Sequence, residues 1–278
     1  MIHEETSFRT GDKLMLYSQQ WRPETDPKAI IAVVHGTFEH SGRYKEEAQY
    51  LVRQGFAVYG FDLRGHGRSD GERGFFASFN ILLEDLKHFL NFVKERQPGK
   101  PVFVLGHSAG ASIALLFSLL HKEYAPNGLI LSAPALKLSN GVSRSALMLS
   151  RFLGRAFPRI KLTTLDPALL SQDPAVVGAY RNDPLVNQKG LPALPLAEFL
   201  HAVNSIYAQL EQVRLPLLIL HGTDDRIADP QGSRDLYAQS LSGDKTLKLY
   251  DRFFHEVLHE PGREQVLQDI SAWLNKRT

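Results

Sequence analysis

A chain of 278 residues, 43% hydrophobic and 22% charged, has the make-up of one large soluble α/β domain, or of a core carrying a modest insertion, with ample apolar surface to bury. A formal net charge of +2 gives no electrostatic case for nucleic acid as a partner, and the absence of cysteine excludes a disulfide framework, a thiolate-bound metal and a thiol nucleophile. The start Met1-Ile2-His3-Glu4-Glu5-Thr6 lacks the basic and apolar parts of a secretory signal and no apolar run reaches membrane-spanning length, so the expected location is the cytoplasm.

Residues 6–10 and 14–21 read as two strands of a hairpin joined at the turn signal Gly11-Asp12. Residues 30–34 form a short β-branched run ending at His35-Gly36. An amphipathic helix is expected over 44–54, stopped by Gly55, with a strand over 56–61 behind it. A glycine-punctuated loop covers 62–74. Ser78 caps a helix that runs to residue 96, with Ile81, Leu82, Leu86, Phe89, Leu90 and Val93 at helical spacing. The apolar run 102–105 leads straight into Gly106-His107-Ser108-Ala109-Gly110, and a helix continues over 111–120. A strand over 129–132 is closed by Ala133-Pro134. Near the C-terminus the rhythm resumes with a strand at 217–220, a helix at 231–240, a strand at 246–250 and a helix at 263–275.

This alternation predicts an α/β fold whose central sheet is mostly parallel, with helices on both faces. Ligands bind such sheets at the carboxyl ends of strands, where His35, Ser108 and His221 all fall. Residues 135–213 break the pattern. They hold helical segments separated by Pro158, Pro167, Pro174, Pro184, Pro192 and Pro195, with no convincing strand. The expected organisation is therefore a core from 1–134 and 214–278 with a helical cap inserted at 135–213.

Gly106-His107-Ser108-Ala109-Gly110 has the layout of a nucleophile elbow, in which a strained serine is thrown up between strand and helix and the next N–H points at the same reacting atom. Such a pattern arises by chance in about one chain of this length in ten. It gains meaning only from an acid and a histidine downstream, because a serine hydroxyl needs a base and the base needs a carboxylate to orient it. Both follow in the order this fold uses. After the strand at 217–220 comes His221-Gly222-Thr223-Asp224-Asp225-Arg226, where Asp224, Asp225 and Asp229 are all candidates that spacing does not separate. After the strand at 246–250 comes Asp251-Arg252-Phe253-Phe254-His255, which puts the candidate base on a loop behind the last strand.

Two competing patterns are present. Residues 255–259 read His-Glu-Val-Leu-His, matching the zinc-peptidase pattern and giving a zinc metallopeptidase through His255, Glu256 and His259 as a distant alternative. That chemistry needs a continuous helix, whereas Pro261 biases Glu260 away from helix, Gly262 follows, and no third ligand is evident, so no metal is expected. Gly65-His66-Gly67 follows a strand, but the third glycine falls at 71, one place late for a dinucleotide fingerprint, and no Walker lysine accompanies it.

With the elbow, the acid loop and the final histidine in place, the chain resembles α/β-hydrolases of the monoacylglycerol lipase and lysophospholipase group over nearly its whole length. The resemblance rests also on His35-Gly36-Thr37-Phe38-Glu39-His40-Ser41-Gly42-Arg43-Tyr44, on Asp62-Leu63-Arg64-Gly65-His66-Gly67-Arg68-Ser69 and on Asn182-Asp183-Pro184-Leu185. It implies Ser108 as nucleophile, Asp225 as acid at the Gly-x-x-Asp position counted from Gly222, and His255 as base. It further implies the backbone N–H groups of Thr37 and Ala109 as oxyanion donors, and Glu39, Arg43 and His259 as binders of the alcohol half. The implied substrate is a monoacylglycerol or another single-chain lipid ester, cleaved without cofactor; lysophospholipase, broad carboxylesterase and a non-catalytic receptor on the same fold are the alternatives. Where the family often has a small residue and then glycine, this chain has Thr37-Phe38, which bears on substrate width.

Between Tyr124 and Leu165 there is no acidic residue, while Lys137, Arg144, Arg151, Arg155, Arg159 and Lys161 are present. A helix over 143–157 would align Arg144, Arg151 and Arg155 on one stripe, opposite Leu149, Phe152, Leu153, Ala156 and Phe157. Such a basic amphipathic helix suits peripheral contact with an anionic lipid surface. The sequence carries no signature of an oligomeric state.

Overall fold

The structure is a computed structural model that describes residues 1–137 and 152–278. In chain order it begins with β1 (Ile2–Arg9), β2 (Met15–Arg22), β3 (Ile30–Val34), α1 (Lys45–Arg53), β4 (Ala57–Phe61) and α2 (Phe79–Arg96). There follow β5 (Val102–His107), α3 (Ala109–Leu120) and β6 (Gly128–Ser132), then β7 (Lys161–Thr163), α4 (Pro174–Asn182), β8 (Leu191–Pro192) and α5 (Ala193–Tyr207). The chain closes with β9 (Leu217–Gly222), α6 (Pro230–Gln239), β10 (Lys245–Tyr250) and α7 (Arg263–Asn275).

One eight-stranded sheet runs β1-β2-β4-β3-β5-β6-β9-β10. Only the N-terminal hairpin strands pair antiparallel; β4, β3, β5, β6, β9 and β10 are parallel neighbours, as the strand–helix alternation predicts. The middle strands are buried on both faces, which is why their sequences are apolar runs rather than alternations. Ile30, Ala32 and Val34 join the cluster packed by α2 and α3, while Ile31 and Val33 join the one packed by α1 and α7. This is the two-residue period of a strand, and it places helices on both sides.

The insertion differs from its sequence reading in one respect. Lys161–Thr163 and Leu191–Pro192 pair as a small antiparallel ribbon where no strand was expected. Strands of two and three residues, paired across a wide gap in the chain, leave no local period to read. Residues 152–156 are helical, with Gly154 close against Leu194 and Ala197 of α5. Arg144, Leu149 and Arg151 lie outside the described residues. Among the described residues, no helix is long and apolar enough to cross a membrane.

Candidate active site

Strand β5 delivers Ser108 to the carboxyl edge of the sheet with φ 54° and ψ −119°. A non-glycine residue there is strained by about 1–3 kcal/mol and must be held by its surroundings. It is: Ser108 N–H donates to the Ser132 carbonyl at 2.9 Å, and the Ser108 carbonyl accepts from Ala111, Ser112 and Ala135. The two flanking glycines serve close approach. A Cβ on Gly110 would lie 2.1 Å from the Val34 carbonyl oxygen, and one on Gly106 would lie 2.6 Å from Ala111 Cα.

Ser108, Asp225 and His255 are brought together. Ser108 Oγ lies 2.9 Å from His255 Nε2, and His255 Nδ1–H donates to Asp225 Oδ2 at 2.7 Å. The other carboxylate oxygen accepts Ile227 N–H at 2.8 Å and Ala228 N–H at 3.0 Å. The structure separates the three acidic candidates that spacing left level. Asp224 is exposed, and Asp229 caps α6 through Gln231 N–H. Gly222 lets the two loops cross, since a Cβ there would sit 2.2 Å from the Phe253 carbonyl oxygen.

Burial opposes charge on His255, but the Asp225 carboxylate and its hydrogen bond lift the imidazole above its ordinary value. Burial likewise opposes charge on Asp225, yet the neighbouring His255 and the hydrogen bonds from His221 and His255 hold it well below the usual carboxylate range. His107 packs its ring 4.9 Å from that of His255, and burial pushes it down to about 4, so it stands beside the base as a neutral wall. An arrangement of this kind can pull the hydroxyl proton onto the imidazole while the oxygen attacks an electrophile.

Thr37 and Ala109 border one apolar pocket with Leu63, Phe76, Phe79, Ile113 and Phe199. The bulk at 37–38 divides: Thr37 lines the pocket, while Phe38, at φ 71°, packs with Leu170, Tyr180, Val186 and Leu191 of the insertion. The Phe38 carbonyl accepts Asn187 N–H at 3.2 Å and Tyr180 Oη–H at 3.4 Å. His40 Nε2 lies 2.8 Å from Asp183, which gives the Asn182-Asp183-Pro184-Leu185 segment a physical task. A second strap ties the His255 loop to the insertion: Glu260 accepts Phe254 N–H at 2.7 Å, Gln172 N–H at 3.0 Å and Ser171 Oγ–H at 3.1 Å.

Glu39, Arg43 and His259 also meet, within a buried ion network. Arg43 donates to Glu39 at 3.0 Å and, with both terminal nitrogens, to Glu256 at 2.5 and 2.7 Å. Glu39 in turn accepts Gly36 N–H at 2.5 Å and Tyr44 Oη–H at 2.8 Å. His259 donates to Glu256 at 2.9 Å and lies 3.6 Å from Glu47. Burial disfavours its charge, but those two carboxylates raise it to about 10. The run 255–259 is made of turns and bends, so the two imidazoles do not share a helix face. His255 faces Ser108 and His259 faces Glu256, each with its own partner.

In the sequence Glu256 has a place only in the zinc pattern and Glu260 has none, because their partners lie 213 and 88 residues away. The available signal was the density of acidic and histidine residues in 255–260, which the zinc pattern absorbed.

The parallel sheet, the strained serine and the apolar pocket beside it define an α/β-hydrolase of the serine ester hydrolase class. Residues 25–262 match the family model described as "Serine aminopeptidase, S33". Monoacylglycerol lipase of Mycolicibacterium smegmatis is 35% identical over 271 residues, spanning 97% of this chain and 96% of that protein. Monoglyceride lipase of Rattus norvegicus is 36% identical, spanning 96% of this chain and 89% of its own length. The crystal structure of Paleococcus ferrophilus monoacylglycerol lipase superposes with a TM-score of 0.85 at 30% identity, covering 95% of this chain and 99% of that one. The chain belongs to this hydrolase family, in the group similar to the monoacylglycerol lipases.

Proposed function

We propose that this protein hydrolyses carboxylic esters of single-chain lipids, monoacylglycerols foremost, through Ser108, His255 and Asp225. The observation that carries the reading is the hydrogen-bonded chain from Ser108 through His255 to Asp225, next to an apolar pocket bordered by Thr37 and Ala109. His255 takes the Ser108 proton as the oxygen attacks the ester carbonyl. The N–H groups of Thr37 and Ala109 stabilise the oxyanion, each contributing about 10²–10³ in turnover. His255 then protonates the departing alcohol, leaving an acyl-serine. Water, deprotonated by the same imidazole, attacks that ester, and the fatty acid leaves as the serine proton returns.

The chemistry of the surroundings supports an acyl chain in the pocket of Phe76, Phe79, Ile113 and Phe199. In this reading residues 135–213 act as a cap on a core of 1–134 and 214–278. The cap supports contact with a lipid surface: Phe152 and Phe157 are 64% and 58% exposed, with Ile160 and Leu162 also exposed, beside Arg155 and Lys161. Arg43 is satisfied by Glu39 and Glu256, and His259 by Glu256, so the binding of the alcohol half implied for Glu39, Arg43 and His259 is read as shaping that side of the site.

Rates across monoacylglycerols of graded chain length, lysophosphatidylcholine, p-nitrophenyl esters and an aminoacyl amide, with lipids presented in anionic or zwitterionic vesicles, test the assignment. The expected result is the highest kcat/KM on medium- or long-chain monoacylglycerols, higher again on anionic vesicles. Preference for the lysophospholipid, the short ester or the amide overturns the substrate class, and indifference to vesicle charge overturns the surface contact.

The pH profile follows from the same geometry. The base must be neutral to accept the serine proton, and Asp225 holds His255 above the ordinary 6.5. The kcat/KM of a soluble ester therefore rises with pH through a midpoint above 6.5. A midpoint below 6.5 would contradict the coupling of His255 to Asp225.

A further inference from the structure

The chain of hydrogen bonds does not end at Asp225. His221, the penultimate residue of β9 and fully buried, places Nε2 3.0 Å from Asp225 Oδ2 and 3.1 Å from the Ala228 carbonyl oxygen. Both neighbours are acceptors, so Nε2 carries the hydrogen and Nδ1 is left as the lone-pair nitrogen. Opposite Nδ1, at 2.7 Å, is the hydroxyl of Ser233 on α6, also fully buried, which donates to it. Every donor then points one way: Ser233 to His221, and His221 to Asp225.

Asp225 consequently receives four hydrogen bonds. Two imidazole N–H groups, from His255 and His221, meet on Oδ2, and two backbone N–H groups meet on Oδ1. That fills the sites of an ionised carboxylate. Without His221, Oδ2 would have His255 as its only partner among the described residues, and the carboxylate plane would be held by three hydrogen bonds instead of four. The His221 bond also draws charge from the oxygen that faces His255. We infer that His221 and Ser233 are positioning residues for the hydrolysis, with Ser233 setting the His221 tautomer and His221 fixing the plane and moderating the charge of Asp225. This rests on the reading of Ser108, His255 and Asp225 given above.

The test compares His221→Asn, His221→Gln, Ser233→Ala and Ser108→Ala on a soluble p-nitrophenyl ester across pH. Asparagine keeps a polar group near Nδ1 but does not reach Asp225, whereas the glutamine amide sets an N–H near the position of Nε2. His221→Asn should lower kcat by about 10- to 100-fold, the worth of one hydrogen bond to a charged group, with little change in KM. Its acid limb should move to higher pH, because an Asp225 stripped of that donor holds the imidazolium more tightly. The other ionisable groups around the His255 ring, Glu39, Glu256 and His107, are unchanged in these variants. His221→Gln should restore most of kcat and the limb, and Ser233→Ala should shift both in the direction of His221→Asn.

Wild-type kcat and limb in His221→Asn overturn the inference, and so does a loss that glutamine fails to rescue with the limb unmoved, since that describes a packing defect. Should His221→Asn fail to fold, Ser233→Ala carries the test, and its having the wild-type limb overturns the inference. Ser108→Ala separates the two readings: retained turnover there removes the triad assignment itself, whereas an inactive Ser108→Ala beside wild-type His221→Asn removes this inference alone.

Discussion

Ser108→Ala is expected to lower kcat by roughly 10⁶ on any ester, and Asp225→Asn by about 10⁴, the sizes found when members of such a relay are removed singly. The two losses have different physical origins. Ser108→Ala deletes the attacking oxygen and little else, since the pins on the residue-108 backbone use its N–H and carbonyl. An alanine must still occupy φ 54°, so fold and melting temperature should be close to the original. Asp225→Asn keeps the shape but reverses one end of the group. Its amide must turn its NH₂ either toward the N–H groups of Ile227 and Ala228 or toward the two imidazoles. With NH₂ toward the backbone, donors face the Ile227 and Ala228 N–H groups at a cost in stability; with NH₂ toward the imidazoles, His255 loses the acceptor that fixes its tautomer. Turnover of a soluble ester, covalent labelling by a fluorophosphonate and thermal unfolding read the three consequences separately. Turnover in Ser108→Ala within a hundredfold of the original would remove serine from the mechanism.

The parts legible in the sequence are those in which a short stretch sets its own environment. Strands β3, β5, β6 and β9 announce themselves because a strand covered on both faces is apolar throughout. The elbow is readable because its two glycines sit two residues either side of Ser108, even though only Gly106 makes its close contact locally, at Ala111, while Gly110 packs on the Val34 carbonyl of β3. Spacing alone does not separate Asp225 from Asp224 and Asp229, and only the family resemblance singles it out, since what distinguishes it physically is an imidazole 30 residues later and the way the chain turns back at 227–228. Phe38 illustrates the converse. Its bulk raised a question of substrate width, yet its partners are Leu170, Tyr180 and Val186, which local spacing does not bring near it. His221 stood at a strand end in the sequence without a task, because its meaning depends on which of its nitrogens faces Asp225.

Arg43→Met is expected to destabilise the fold by about 3–5 kcal/mol at neutral pH, the range for removing one partner of a buried ion pair. At about 2–4 °C per kcal/mol for a chain of this order, melting should fall by roughly 6–20 °C. Methionine replaces the stem of the side chain but no charge, so Glu39 and Glu256 are left buried and each loses its guanidinium partner. In the native protein, burial would raise both carboxyls, yet Arg43 holds them below the ordinary 4.5. Their stabilising share is therefore present above that value and lost as pH falls through the lower folded values. In the variant burial is less fully offset, with His259 the cation left beside Glu256, and the folded values rise, so protonation on acidification costs it less stability than it costs the original. The gap in melting temperature should be widest near neutrality and narrow toward pH 5. Turnover should fall as well, because the Glu39 carboxylate that loses its cation also holds Gly36 N–H, one residue before the Thr37 N–H proposed as an oxyanion donor. Unfolding of both proteins at pH 5 and pH 7.5 decides the matter: a gap under 2 °C at neutrality, or one that widens in acid, would show that the network is not held by the charge of Arg43.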